Sequence, residues 1–256
     1  MELGDRGEDV AAWQDVLVED GRHVGRTGVD GDFGKLTHNA TVAWQRARAL
    51  TPDGRVGPQC RASIGEPSLP PTMRGLTLDE LPFIKAANWS PHRGPQTKHW
   101  IVLHSMEARE ASTVAENVAQ WFAGNRGEPP RSSAHYCLDD DSVVCCVPPD
   151  MIAWHAPGAN KHGIGIEHAG FARQTAEQWQ DDFSQRMLRR SAWLTRELCR
   201  RFGIPVEFID AAGLKAGDPG ITTHHEVTLA FRRSTHTDPG DSFPMSDYLR
   251  MVRQAA

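Results

Sequence analysis

Two segments near the C-terminal end combine the residue types of a metal site. His224-His225-Glu226-Val227 is followed by Asp238 in Thr237-Asp238-Pro239-Gly240, fourteen residues after His224. An imidazole and a carboxylate at that spacing, each beside turn-forming residues, can approach one metal ion from two sides. A third donor lies far upstream, where the apolar run Trp100-Ile101-Val102-Leu103 ends in His104. A His leaving the end of a buried strand points its ring into the cleft beyond the sheet. Two His and one Asp leave a fourth tetrahedral position for water, the arrangement a hydrolytic zinc site needs. Taken singly each residue is weak evidence: a lone His at a strand end is equally a satisfied core residue, and either of the adjacent His224 and His225 could be the donor.

These residues need a frame. The run 100–103 reads as a buried strand, as do 134–138 and 142–147, joined by Asp139-Asp140-Asp141, and 163–168. Thr113 with Glu116 has the spacing of a capping box, followed by a helix whose apolar stripe is Val114, Val118, Trp121 and Phe122. A long amphipathic helix is expected over 175–202, with Trp179, Phe183, Met187, Leu194, Leu198 and Phe202 as its seam and Gly203 at its end. The paired arginines 189–190 and 200–201 fall on its solvated face. Strands interspersed with helices predict a mixed α/β domain, a central sheet flanked by helices.

Residues 3–65 read differently. Ala12-Trp13-Gln14 recurs as Ala43-Trp44-Gln45, and the Asp-Gly turn at 30–31 is echoed at 53–54. Val10, Trp13 and Leu17 share one helical face, as do Leu36, Ala40, Ala43, Trp44 and Ala47, so a small all-α bundle of about three helices is expected. Glu66-Pro67-Ser68-Leu69-Pro70-Pro71 is a stiff connector of the kind found between domains. The division is therefore 1–65, a linker and lead-in over 66–94, and a second domain over 95–256.

Composition excludes several classes. The net charge of −5 gives no reason to expect nucleic acid as a partner. No apolar stretch approaches the ~20 residues of a membrane span. The first residues, MELGDRGEDV, are acidic and polar and do not read as a secretory signal. Five Cys, at 60, 137, 145, 146 and 199, form neither a disulfide framework nor a CxxC pair and are expected to be reduced and buried.

Taken in order, the motifs resemble known families. The pattern from Gly4 to Gly57, with its Trp-Gln and Asp-Gly repeats, resembles the three-helix peptidoglycan-binding domain. Ile-Val-Leu-His at 101–104, Ser-Ala-His-Tyr at 133–136, Ala-Trp-His-Ala at 153–156, Gly-Ile-Gly-Ile-Glu at 163–167, His-His-Glu-Val at 224–227 and Thr-Asp-Pro-Gly at 237–240 follow in the order of zinc N-acetylmuramoyl-L-alanine amidases. The resemblance spans about 95–250. It implies one Zn²⁺ held by His104, His224 and Asp238, with the first of the two adjacent His selected. It implies Glu167 as the catalytic carboxylate, and it places His236 where many relatives carry a Lys that stabilises the oxyanion. His135, Trp154 and His155 are expected to line the substrate groove, though packing is an alternative for Trp154. Ala134, not Tyr136, falls where some relatives carry a catalytic Tyr, and Tyr136 is given no role.

The resemblance thus implies hydrolysis of the amide between N-acetylmuramic acid and the L-alanine of the stem peptide. The partner would be bacterial peptidoglycan and the active form a monomer. With no secretory signal read at its start, the chain is expected to be an endolysin held in the host cytoplasm until lysis and then acting on the wall. Two rivals come from other classes. A non-catalytic peptidoglycan receptor would lack the third ligand, which Asp238 supplies. A zinc peptidase of the wall would carry a different His/Asp motif.

Overall fold

The computed structural model describes residues 1–63, 76–92 and 97–255. The chain divides into two compact units, residues 1–68 and 69–256; the Pro-rich connector at 66–71 lies outside the described residues.

In the first unit, α1 (Glu8–Glu19), α2 (Lys35–Ala47) and α3 (Pro58–Ser63) enclose Val10, Trp13, Leu17, Phe33, Trp44, Val56 and Cys60. The two Trp rings meet edge to face, with centroids 5.0 Å apart. The Gln after each Trp is buried and serves one Asp-Gly turn. Gln14 Oε1 accepts the N–H of Asp30 and of Gly31, while its Nε2 donates to Asp30 Oδ1 at 2.8 Å. Gln45 repeats this: Oε1 accepts the Gly54 N–H, and Nε2 donates to Asp53 Oδ1, both at 2.8 Å. The sequence repeat is therefore a repeated hydrogen-bonding unit.

The apolar face expected on α2 is buried only in part. Leu36, Ala43 and Ala47 are exposed, whereas Thr37, Ala40, Thr41, Trp44 and Gln45 are buried. Hydrogen bonding turns the helix: Trp13 Nε1 donates to Thr41 Oγ1, and Gln14 Nε2 to Thr37 Oγ1. Their polar atoms are satisfied inside, so hydrophobicity alone misplaces the stripe.

The second unit holds β1 (Trp89–Ser90), β2 (Trp100–Ser105), β3 (Tyr136–Leu138), β4 (Val143–Cys145), β5 (Ile152–Ala153), β6 (Gly163–His168) and β7 (Gly220–Thr223). Five strands form the main sheet in the order β4-β3-β6-β2-β7, parallel except for the β3–β4 hairpin; β1 and β5 form a separate antiparallel pair. The helices are α4 (Val114–Phe122), α5 (Asp182–Phe202), α6 (Ala211–Ala216), α7 (His224–Phe231) and α8 (Met245–Gln254). The lead-in does more than link. Leu81 and Ala86 are buried, and the N–H groups of Ile84 and Ala86 donate to the carbonyls of Cys145 and Cys146.

Alternation along the strands gives the sheet two distinct faces. Ile101 and Leu103 of β2, Ile164 and Ile166 of β6, and Tyr136 and Leu138 of β3 form one core with Met187, Leu188, Leu194 and Leu198 of α5 and Tyr248 of α8. Each such side chain contributes about 1.5–3 kcal/mol on full burial. The opposite face carries Trp100, Val102 and His104 beside Gly163, Gly165 and Glu167. Chemistry is confined to that second face.

Four local expectations change. The side chain of Thr113 does not cap α4; Asp139 Oδ2, from the β3–β4 turn, accepts the Ala115 N–H instead, at 3.0 Å. Trp121, expected in the stripe of α4, is exposed, and Ala115 and Ala119 take the buried positions. α5 begins at Asp182, capped by Asp181, and ends at Gly203 in the left-handed region. Arg190 is buried on α5 rather than solvated, because it faces the carboxylates of Asp139, Asp140 and Asp141.

Below the second face, the buried Lys98 donates from Nζ to the carbonyls of Met151 (2.8 Å) and Gly163 (3.2 Å), tying the β5 segment to the start of β6. Burial lowers its pKa from the ordinary 10.5 to about 8, against the raising pull of Asp150. The unfolded chain therefore binds more protons than the native state between pH 8 and 10.5, and Lys98 makes stability rise with pH across that window. Below pH 8 its full cost is present, roughly 3 kcal/mol at most. Denaturant unfolding of wild type and Lys98→Met at pH 7.5 and pH 10 should show a gain for wild type that the variant lacks. Parallel pH dependences would show that Lys98 titrates normally.

Candidate active site

His104 is the fifth residue of β2, and the parallel register places Glu167 of β6 beside it. His224 opens α7 directly after β7, where Thr223 caps the helix by accepting the Glu226 N–H. Asp238 comes from the loop between α7 and α8, which is tied down by the His225 N–H donating to the Asp238 carbonyl at 3.0 Å. Gly240 in this loop adopts φ 94°, and a Cβ there would lie 1.8 Å from the Ala172 carbonyl oxygen, so only glycine lets the loop close.

The three side chains converge. His104 Nδ1 is 3.0 Å from Asp238 Oδ2, and His224 Nδ1 is 3.2 Å from Asp238 Oδ1. The three donor atoms lie within 4.8 Å of one another, and all three residues are buried. Burial would raise the Asp238 carboxyl, but hydrogen bonds from His104 and His224 outweigh it and hold the group far below the carboxylate range. Burial lowers His104 against the pull of that same carboxylate, so the imidazole favours its neutral, lone-pair-bearing form. Two imidazoles and an ionised carboxylate are a donor set suited to zinc.

His225 is turned away. Its ring is partly exposed and lies 3.7 Å from Asp241, so the first of the adjacent His is the convergent one. Glu226 is structural, accepting the Ala211 N–H that opens α6. His236 stands at the exposed mouth, its ring stacked on His224 at 4.3 Å with 12° between planes and its Nδ1 3.3 Å from Asp238 Oδ1. Glu167 is half-buried, and its Oε2 is shielded with no hydrogen-bond partner. Burial, then repulsion from Asp238, pushes its pKa well above the ordinary value.

The residues expected to line the groove divide. Trp154 is 37% exposed, with Nε1 donating to Ser90 Oγ. His135 is wholly buried: its Nδ1 accepts the Gly165 N–H, and its Nε2 faces the Met151 carbonyl. No part of that ring is open to a substrate. His155 is also buried, with Nδ1 3.0 Å from His104 Nε2. Both belong beneath the site rather than in a groove, because the glycines of β6 leave room for imidazoles there. Burial, then the neighbouring His104 and His135, pushes His155 well below the ordinary His range.

Sequence reasoning missed two supports. His168 donates from Nδ1 to the His104 carbonyl at 2.8 Å, while its Nε2 accepts from Ser191 Oγ at 2.6 Å. Burial holds its pKa near 4, so it stays neutral. Its signal was a His at an inward position of an apolar strand. Ser234 Oγ lies 3.4 Å from His224 Nε2 and has no distinguishing sequence context.

Residues 94–241 match the N-acetylmuramoyl-L-alanine amidase family, and residues 6–64 match the family described as a peptidoglycan binding domain. N-acetylmuramoyl-L-alanine amidase A of Achromobacter lyticus is 31% identical over 163 residues, covering 59% of this chain and 81% of that protein. Among solved structures, the Staphylococcus aureus hydrolase AmiA superposes with a TM-score of 0.54 at 14% identity, over 78% of this chain and 91% of its own. A structure of AmpD gives 0.50 at 20% identity, over 69% of this chain and 96% of its own. The two structural likenesses show a shared fold; the sequence matches show more, and this chain belongs to the N-acetylmuramoyl-L-alanine amidase family, carrying an N-terminal peptidoglycan-binding unit.

Proposed function

We propose that this amidase is zinc-dependent, with His104, His224 and Asp238 holding the ion, Glu167 carrying the proton and His236 supporting the carbonyl oxygen. The convergence of two Nδ1 atoms on one buried carboxylate carries this reading. When bound, zinc supplies Lewis acidity, which polarises a carbonyl and makes water nucleophilic near neutral pH. The chain's own residues supply the rest. Glu167, with an unpartnered oxygen and a raised pKa, takes the proton of the attacking water as its oxygen bonds to the lactyl carbonyl carbon of muramic acid. It returns that proton to the L-alanine nitrogen as the C–N bond breaks, leaving a carboxylate on the sugar and a free amine on the peptide. His236, exposed beside Asp238, donates a hydrogen bond to the carbonyl oxygen as charge develops there. The indole face of Trp154 is the exposed surface offered to the glycan.

The first unit holds the enzyme to the wall and raises local substrate concentration by tethering. The endolysin setting belongs to the same proposal. All five cysteines are free and buried, including Cys137 and Cys146, whose sulfurs lie 3.7 Å apart, which suits synthesis in a reducing compartment. Finding the chain outside intact producing cells would count against that setting.

Four outcomes are expected. Chelation, or Ala at His104, His224 or Asp238, should abolish release of whole stem peptides from wall digests read by mass spectrometry, while binding to walls persists. An active His224→Ala would overturn the ligand assignment, as would stem peptides left one alanine short overturn the bond assignment. Glu167→Gln should lower kcat by about 10²–10⁴-fold at unchanged zinc content. His236→Lys should stay active, since an ammonium can donate the same hydrogen bond to the carbonyl oxygen, whereas His236→Ala should lose about 10²–10³-fold in kcat. A near-normal kcat in Glu167→Gln would move the proton-transfer role to another group. Deleting residues 1–65 should slow lysis of whole walls yet spare soluble muropeptides; equal lysis would deny the first unit an anchoring role.

A further inference from the structure

The outward nitrogens of the two histidine donors have different partners: Ser234 for His224 and another imidazole, His155, for His104. The second arrangement is built with care. The N–H groups of His155 and Ala156 both donate to Asn160 Oδ1, at 3.0 and 2.6 Å, which pins the turn carrying the ring. The ring lies over Gly165, where a Cβ would come within 2.5 Å of His155 Cγ and 2.6 Å of Nδ1. Gly165 has ordinary backbone angles, so its lack of a side chain serves the ring above it. Across the ring, His155 meets His104 edge to face at 86° with centroids 5.2 Å apart.

Hydrogen positions follow from these contacts. Nδ1 of His104 faces Asp238 and donates to that carboxylate while no ion is held; with a metal on Nδ1, its lone pair would go to the ion and the proton would sit on Nε2. That N–H then donates to Nδ1 of His155, 3.0 Å away, and His155 carries its own proton on Nε2. Among the described residues, none partners the buried His155 Nε2. A leucine would occupy this place without stranding a polar atom, so the ring is retained for what its Nδ1 does.

We propose that His155 is a positioning residue: by accepting the His104 Nε2–H it fixes the tautomer and ring orientation that present His104 Nδ1 to the metal, with Gly165 as the space that admits it. This rests on the zinc reading above. The expected consequence is thermodynamic, since an outer partner of a metal-ligating imidazole sets ligand basicity and orientation.

The test measures the zinc dissociation constant of the full chain by chelator competition, with thermal unfolding of the metal-free protein alongside. His155→Leu should weaken zinc binding about 10–100-fold. His155→Asn, whose side-chain oxygen can stand near the place of Nδ1, should restore most of the loss. Gly165→Ala, which displaces the ring without touching any metal donor, should follow His155→Leu, and it decides the question if that variant fails to fold. In zinc-loaded wild type, ring ¹⁵N shifts should report His104 protonated at Nε2. Wild-type zinc affinity in a folded His155→Leu or in Gly165→Ala would overturn the proposal, as would an Asn variant as weak as Leu. Failure of wild type to bind zinc at all would instead remove the metal reading on which the proposal stands.

Discussion

Parallel pairing of β2 with β6 sets His104 beside Glu167 and fixes which way every neighbouring side chain points. Because side chains alternate along a strand, Ile101, Leu103, Ile164 and Ile166 must face α5 once His104 and Glu167 face the cleft. A slip of one residue in this register would bury His104 under α5 and expose the isoleucines. The apolar burial that stabilises the sheet is therefore the same constraint that aims His104 and Glu167 into the cleft. His224 and Asp238 are added from the end of β7 and the loop after α7, at the carboxyl ends of parallel strands, where such sheets leave a crevice.

Much of this was legible in the sequence, for a physical reason. Apolar runs ending in a single His or Glu mark buried strands with chemistry at the tip, and the runs at 101–104 and 163–167 mark the strands observed. The Trp-Gln and Asp-Gly repeats were legible too, because each glutamine needs an Asp-Gly turn to satisfy its amide. What stayed hidden depends on contacts between distant residues. The cap of α4 comes from Asp139, twenty-four positions from the amide it accepts, so Thr113 and Glu116 suggested a local solution that the fold does not use. Arg190 looked like one of a solvated pair because nothing in its neighbourhood announces the carboxylates it faces across the unit.

The histidines show the same limit in the site itself. Residue type separates His104 and His224 from His135 and His155 only weakly, since all four are imidazoles in apolar surroundings. Their partners separate them. His104 and His224 direct Nδ1 to a carboxylate, whereas His135 accepts a backbone N–H and faces a carbonyl, which leaves neither nitrogen free. A burial pattern could not have said which imidazoles face the carboxylate.

Behind the site the core is unexpectedly polar, and the polarity runs in one direction. His168 donates to the carbonyl of His104 and accepts from Ser191, whose hydroxyl meets Tyr248 OH at 2.7 Å, and Thr195 meets that same phenol at 2.7 Å. Every member is buried, so each hydrogen bond forms where leaving it unmade would cost about 1–3 kcal/mol. The network joins β6, α5 and α8 to the backbone of His104. That residue is thus held from two sides, its carbonyl by His168 and its ring by the imidazole of His155. A strand end usually frays. Here the polar core turns the last residues of β2 into a fixed point, and the proposed role of His104 as a metal donor requires a fixed point more than it requires added stability.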